Sequence, residues 1–123
     1  MQYLIVVVAV LLSINIAHAG LEGMQGCENR EYSSLCKVER LKVGLKTLSV
    51  KCDAKGSKAD SHIKSHPYHA ALLTQSNTGY MLDLIKTAKM KGRLIRVFYS
   101  CPSKHNPDGC KAENCRRLKG IGF

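Results

Sequence analysis

A chain of 123 residues is bounded to one domain, with a modest core that disulfides would help to stabilise. Its 19 Lys and Arg against 9 Asp and Glu give a formal net charge of +10. A field of that sign draws acidic glycans, phospholipid headgroups, nucleic acid or an acidic partner protein, and it also serves solubility.

Leu4 to Ile16 is a run of thirteen uncharged residues, followed at once by Ala17-His18-Ala19, the small-x-small pattern that a signal peptidase reads. No Lys or Arg precedes the run, so the amino terminus alone supplies the positive charge. The run is shorter than the roughly 20 residues that a spanning helix needs. Residues 1–19 are therefore read as a signal peptide and not as a stable membrane span. Residues 20–123 are read as a single domain, secreted or periplasmic before release. Residues 20–35, rich in Gly, Ser, Glu and Asn, read as an irregular arm. From Lys37 to Cys52 the alternation of side chains suits two antiparallel strands, with Gly44 near the turn or at a bulge. Residues 53–66 are polar and basic without periodicity and read as a loop.

The strongest helical pattern follows. Asn77 or Thr78 can cap it, Tyr80, Met81, Leu84, Ile85 and Ala88 form one apolar stripe, and Gly92 is the natural stop. Lys86, Lys89, Lys91 and Arg93 complement the negative end of the helix dipole. Leu94 to Tyr99 reads as a strand. A turn-rich loop with Pro102, Pro107 and Asp108-Gly109 leads to a last strand, Arg116 to Phe123. The order strand, strand, helix, strand, strand predicts a mainly β, α+β fold: a small β-barrel capped by one central helix, in preference to a parallel α/β sheet.

Export places Cys27, Cys36, Cys52, Cys101, Cys110 and Cys115 in an oxidising compartment, so all six are expected to pair. At least one bond is expected to close the loop between Cys101 and Cys115. Sequence leaves the connectivity open, and the cysteine spacings do not match a tight zinc site. His62, His66 and His69 would share one face of a helix and could hold a metal there. Pro67 interrupts them, so an exposed loop is expected instead, with no metal and no cofactor. His69 and His105 form an imaginable acid–base pair for a small secreted nuclease. Nothing resembles a nucleophile elbow, a phosphate loop or a zinc-protease helix.

The run Tyr80-Met81-Leu82-x-Leu84-x-x-x-Ala88-x-x-x-Gly92-x-x-Ile95-x-Val97-x-Tyr99 resembles the helix and following strand of the B subunits of bacterial five-subunit-ring toxins, in the subtilase-cytotoxin and pertussis-like branch. The Cys101–Cys115 loop and Leu118-Lys119-Gly120-Ile121 match the parts that come next there. The resemblance implies an OB-type barrel and a non-catalytic role. It implies binding to sialylated or otherwise acidic host glycans, a separate catalytic subunit and a homopentamer. A serine near the start of the first strand helps to hold sialic acid in that family. The nearest match here is Cys36 with Ser33 and Ser34 before it, which makes Ser33, Ser34, Arg40 and Lys42 the expected ligand groups. A cationic binder of nucleic acid or other polyanions is the alternative. Five Tyr, two Phe and no Trp leave it little stacking surface.

Overall fold

The computed structural model describes Cys27, residues 31–56 and residues 59–123. The segment 1–19 that reads as a signal peptide and most of the arm lie outside the described residues. Glu31–Phe123 forms one compact unit, and every element below belongs to it.

Six strands carry the fold: β1 Tyr32–Cys36, β2 Val38–Val43, β3 Thr47–Cys52, β4 Tyr68–Leu72, β5 Ile95–Ser100 and β6 Cys115–Gly122. Two helices, α1 Ser61–Ser65 and α2 Thr78–Lys91, accompany them. The strands form one mixed sheet in the order β1-β5-β6-β4-β3-β2. All neighbours are antiparallel except β4 and β6, which run parallel in the register Tyr68↔Cys115, His69↔Arg116 and Ala70↔Arg117. The fold is thus mainly β with one main helix, as the sequence pattern predicts. The edges β1 and β2 are separated in the chain by Lys37 alone, so the sheet curls until its two edges meet there. Among the described residues no ladder joins β1 to β2, and the sheet is not closed.

Strict alternation makes β3 the clearest strand. Leu48, Val50 and Cys52 are fully buried on one face, while Thr47, Ser49 and Lys51 point the other way. The inner face packs on Ile63 of α1, Met81, Ile85 and Ala88 of α2, Ile95 and Val97 of β5, and Leu118 of β6. A small second cluster of Ala70, Cys110 and Cys115, with Tyr68 against it, forms separately. Gly44 sits in the β2–β3 turn, its N–H donating to the Thr47 carbonyl at 2.8 Å. The register shift between Val38 and Arg40 lies at the far end of the hairpin.

The structure corrects three sequence expectations. The irregular arm gives way to a strand from Tyr32, because β1 pairs along its whole length with β5. The polar loop contains α1, whose first turn is capped by Asp60: its carboxylate accepts the Ile63 N–H at 3.0 Å. The strand β4, unassigned from sequence, lies between β3 and β6 and is buried on both sides at Ala70 and Ala71. Small side chains there give little periodic signal.

The main helix begins and stops where the sequence places it. Gly92 adopts the left-handed conformation (φ 62°), and its N–H reaches the Ala88 and Lys89 carbonyls. At the start, Asn77 holds the cap position without a side-chain cap bond. Its amide donates instead to the Lys119 carbonyl at 2.8 Å, and the Thr78 hydroxyl donates to the Leu72 carbonyl at 2.8 Å. Both side chains tie the helix to the sheet. The buried seam is narrower than the apolar stripe. It runs Thr78, Met81, Ile85 and Ala88, while Leu84 is half-buried and Tyr80 is 78% exposed.

All six cysteines are disulfide-bonded. Cys36–Cys52 joins the ends of β1 and β3, and Cys110–Cys115 closes the tip of the loop before β6. Among the described residues no helix is long and apolar enough to cross a membrane.

Candidate functional site

The outward face of β2, β3 and β4 forms the floor of a cleft of about 520 Å³. The pairing sets its rows: Lys42 lies opposite Ser49, Arg40 opposite Lys51, and the same β3 residues lie opposite Ala70 and Tyr68. One wall is the loop Asp108–Lys111 with Asn114 and Cys115, held to β4 by the second apolar cluster. Arg40, Lys42, Lys51 and Lys111 thus face a single lining carboxylate, Asp108. Lys51 is bound by Glu39 at 2.8 Å, and this hydrogen bond, followed by the same carboxylate's charge, raises its pKa. Its ammonium lies 5.7 Å from the centre of the Tyr68 ring. The cleft therefore offers guanidinium and ammonium donors beside an aromatic ring and several neutral hydrogen-bonding groups. Such a set receives a carboxylate or sulfate attached to a partly apolar body.

Of the four expected ligand groups, the structure brings two into this cleft. Arg40 and Lys42 line it, both exposed. Ser33 and Ser34 lie on β1, the opposite edge strand. Ser34 is 2% exposed and faces inward, and the Ser33 hydroxyl accepts a hydrogen bond from Arg96 at 3.2 Å. Lys51, Tyr68 and Lys111 were not singled out from sequence. The alternation of β3 marks Lys51 as outward, but no sequence signal pairs it with Tyr68, seventeen residues on in an unrecognised strand.

The histidines form a second cluster, and here the exposed-loop expectation is overturned. His69 in β4 is fully buried. Its Nε2 meets Nε2 of His62 at 2.9 Å, and its Nδ1 lies 3.9 Å from the Cys52 sulfur. His62 stacks face to face on Tyr99, with ring centres 3.7 Å apart and planes within 3°, and His66 stacks on His62 at 5.4 Å. Burial, then the neighbouring His62 and His66, lowers His69 to about 3. Burial, then His66, lowers His62 to about 4, with Asp60 opposing. Burial and the Arg116 charge lower His66 as well. Pro67 separates α1 from β4, so the chain doubles back and the rings converge from two elements rather than one helix face.

Among the described residues no group of three or more His, Cys, Asp or Glu side chains could hold a metal ion. The imagined pair of His69 and His105 is not assembled either. His69 is spent on His62 in the interior, whereas His105 is exposed on a 3-10 turn and bonded to the Ser100 hydroxyl. No protein-family profile matches the chain, and no curated protein matches its sequence.

Proposed function

We propose that the exported domain is a non-catalytic binding module that takes acidic, sialylated glycans in the cleft formed by β2, β3, β4 and the disulfide-closed loop. The observation that carries this is the lining: three cations, a fourth (Lys51) paired with Glu39 from outside the cleft, and one aromatic ring against one lining carboxylate. Arg40 is the natural partner for a sugar carboxylate, because its planar fork can donate two parallel hydrogen bonds.

Residues 32–43 can be taken as one bent strand that pairs with β5 at its start and β3 at its end. With the parallel β4–β6 pair and the helix between β4 and β5, this supports an OB-type barrel. OB folds bind oligosaccharides and oligonucleotides on the face of their second and third strands and the adjoining loops. On that reading β3 and β4 are the second and third strands of the barrel, and the cleft, which both of them line, supports a ligand face there. On this reading the domain resembles a toxin B subunit in use as well as in pattern, with a catalytic subunit and a homopentameric ring as its further partners. A likeness of fold is a weak warrant for function, so the cleft chemistry carries the proposal.

The test compares sialylated and desialylated forms of one glycan at physiological salt, using the oxidised domain. The preference for the sialylated form is expected to persist, and Arg40→Ala is expected to weaken binding about tenfold or more, since hydrogen bonds to charged groups contribute roughly 1.5–3 kcal/mol. Binding that follows only total ligand charge and vanishes in moderate salt would instead identify a generic polyanion binder.

A further inference from the structure

We propose that α1 and the histidine cluster form an acid-opened latch, in which neutral His62 and His69 dock the one-turn helix on β4 and β5 and release it when both take up protons. The latch stands apart from whatever the cleft binds.

The geometry carries it. The bond between the two Nε2 atoms, 2.9 Å long, needs one ring as donor and the other as bare acceptor. One proton too many removes the acceptor. The environment offers a doubly charged pair little help. From the α1 side come Asp60 and the His66 ring, from the link into β4 the Pro67 carbonyl, from β5 the Tyr99 ring with Tyr32 of β1 beside it, from β6 the Arg116 guanidinium, and from β3 the disulfide sulfur of Cys52. Three of these, Asp60, the Pro67 carbonyl and the Tyr99 face, favour an imidazolium, but the carboxylate already caps the Ile63 N–H and the carbonyl already accepts the Cys52 N–H. His66 and Arg116 oppose it, and His69 has no access to water.

The element being held is slight. It is five residues long, and Ile63 is its one buried side chain. Release therefore exposes little apolar surface, and local opening can precede global unfolding. Once α1 lifts, both rings reach water, where a histidine titrates near 6.5. In the docked state they titrate near 4 and 3. The docked state is thus fully favoured above about pH 6.5 and loses ground as pH falls towards 4. The open population gains up to about tenfold per histidine for each pH unit, so up to about a hundredfold for the pair.

The test is amide hydrogen exchange on the full oxidised domain from pH 7 to 4, expressed as protection factors so that the chemical pH dependence drops out. The reporters are Lys64 and His66, whose N–H groups bond within α1 to the Asp60 and His62 carbonyls. Their protection is expected to fall about ten- to a hundredfold per pH unit between pH 6 and 4.5, while Ile85 and Ala88 in α2 keep theirs. His62→Phe retains a ring for the Tyr99 stack but takes no proton, and it should reduce that slope by about a factor of ten per pH unit. An α1 that loses protection only together with α2, or a slope unchanged in His62→Phe, overturns the latch. If the variant does not fold, the imidazole nitrogen shifts of the unmodified protein decide. Charged His62 and His69 at pH 6 with α1 still protected also overturn it.

Discussion

Ile85 has no exposed surface, its neighbour Leu84 is half-buried and Lys86 is exposed, three consecutive residues in three environments. Each helical step turns a side chain by about 100°, so only the residues nearest the seam of Thr78, Met81, Ile85 and Ala88 reach the core. Ile85→Ala is expected to cost about 2–5 kcal/mol in denaturant unfolding. Lys86→Ala should stay within about 0.5 kcal/mol, and Leu84→Ala should fall between the two. An Ile85→Ala variant no less stable than Lys86→Ala would mean that the seam is misplaced. The periodicity of Tyr80 to Ala88 shows that a helix forms and roughly which side is apolar. It does not show how wide a strip the curled sheet can cover, because that depends on the shape of the surface the helix meets.

Among the elements, the disulfides Cys36–Cys52 and Cys110–Cys115 differ in reach. Cys36–Cys52 spans 16 residues and joins two strands that are not neighbours in the sheet. Cys110–Cys115 spans 5 residues and shapes one wall of the cleft. Loop-closure entropy predicts that removing the first by paired Cys→Ser changes costs about 3 kcal/mol, and removing the second about 2 kcal/mol. The order should reverse for ligand affinity, since Cys110 and Cys115 pack on Ala70 beneath the cleft. Paired unfolding and glycan-binding measurements on both variants check this; equal losses of affinity would separate the loop from the proposed binding face. At the other end of α2, Gly92→Ala places a Cβ at a φ of 62° and should cost roughly 1 kcal/mol in the same unfolding assay. That helix stop was legible because only glycine adopts the left-handed turn without strain. Strand β1 was not, because Tyr32-Ser33-Ser34 has weak alternation and is a strand by virtue of β5 beside it.

At the scale of the molecule, charge and cross-linking decide behaviour in solution. With all six cysteines bonded, native protein exposed to a thiol-blocking reagent is expected to show no mass increase. An increase equivalent to two blocked thiols would break the disulfide framework described above. A formal charge of +10 steers any acidic ligand towards the domain, so association rates should fall as salt rises even where a glycan preference persists. The amino-acid sequence by itself determined the sign of that field, the main helix with its glycine stop, the β2–β3 hairpin and the strands around β5 and β6. These follow from composition and from short-range periodicity, which act within a few neighbouring residues. Only the tertiary structure decided that Arg40 and Lys42 share a cleft with Lys51, Tyr68 and Lys111, while Ser33 and Ser34 stand on the opposite edge. It also gathered three histidines of an apparent loop into one cluster, with His69 buried and His62 and His66 partly covered. Both outcomes come from strand pairing between distant segments, β3 with β4 and β4 with β6. Partners of that kind are chosen by the burial of a whole sheet face and leave no local mark on the residues they bring together.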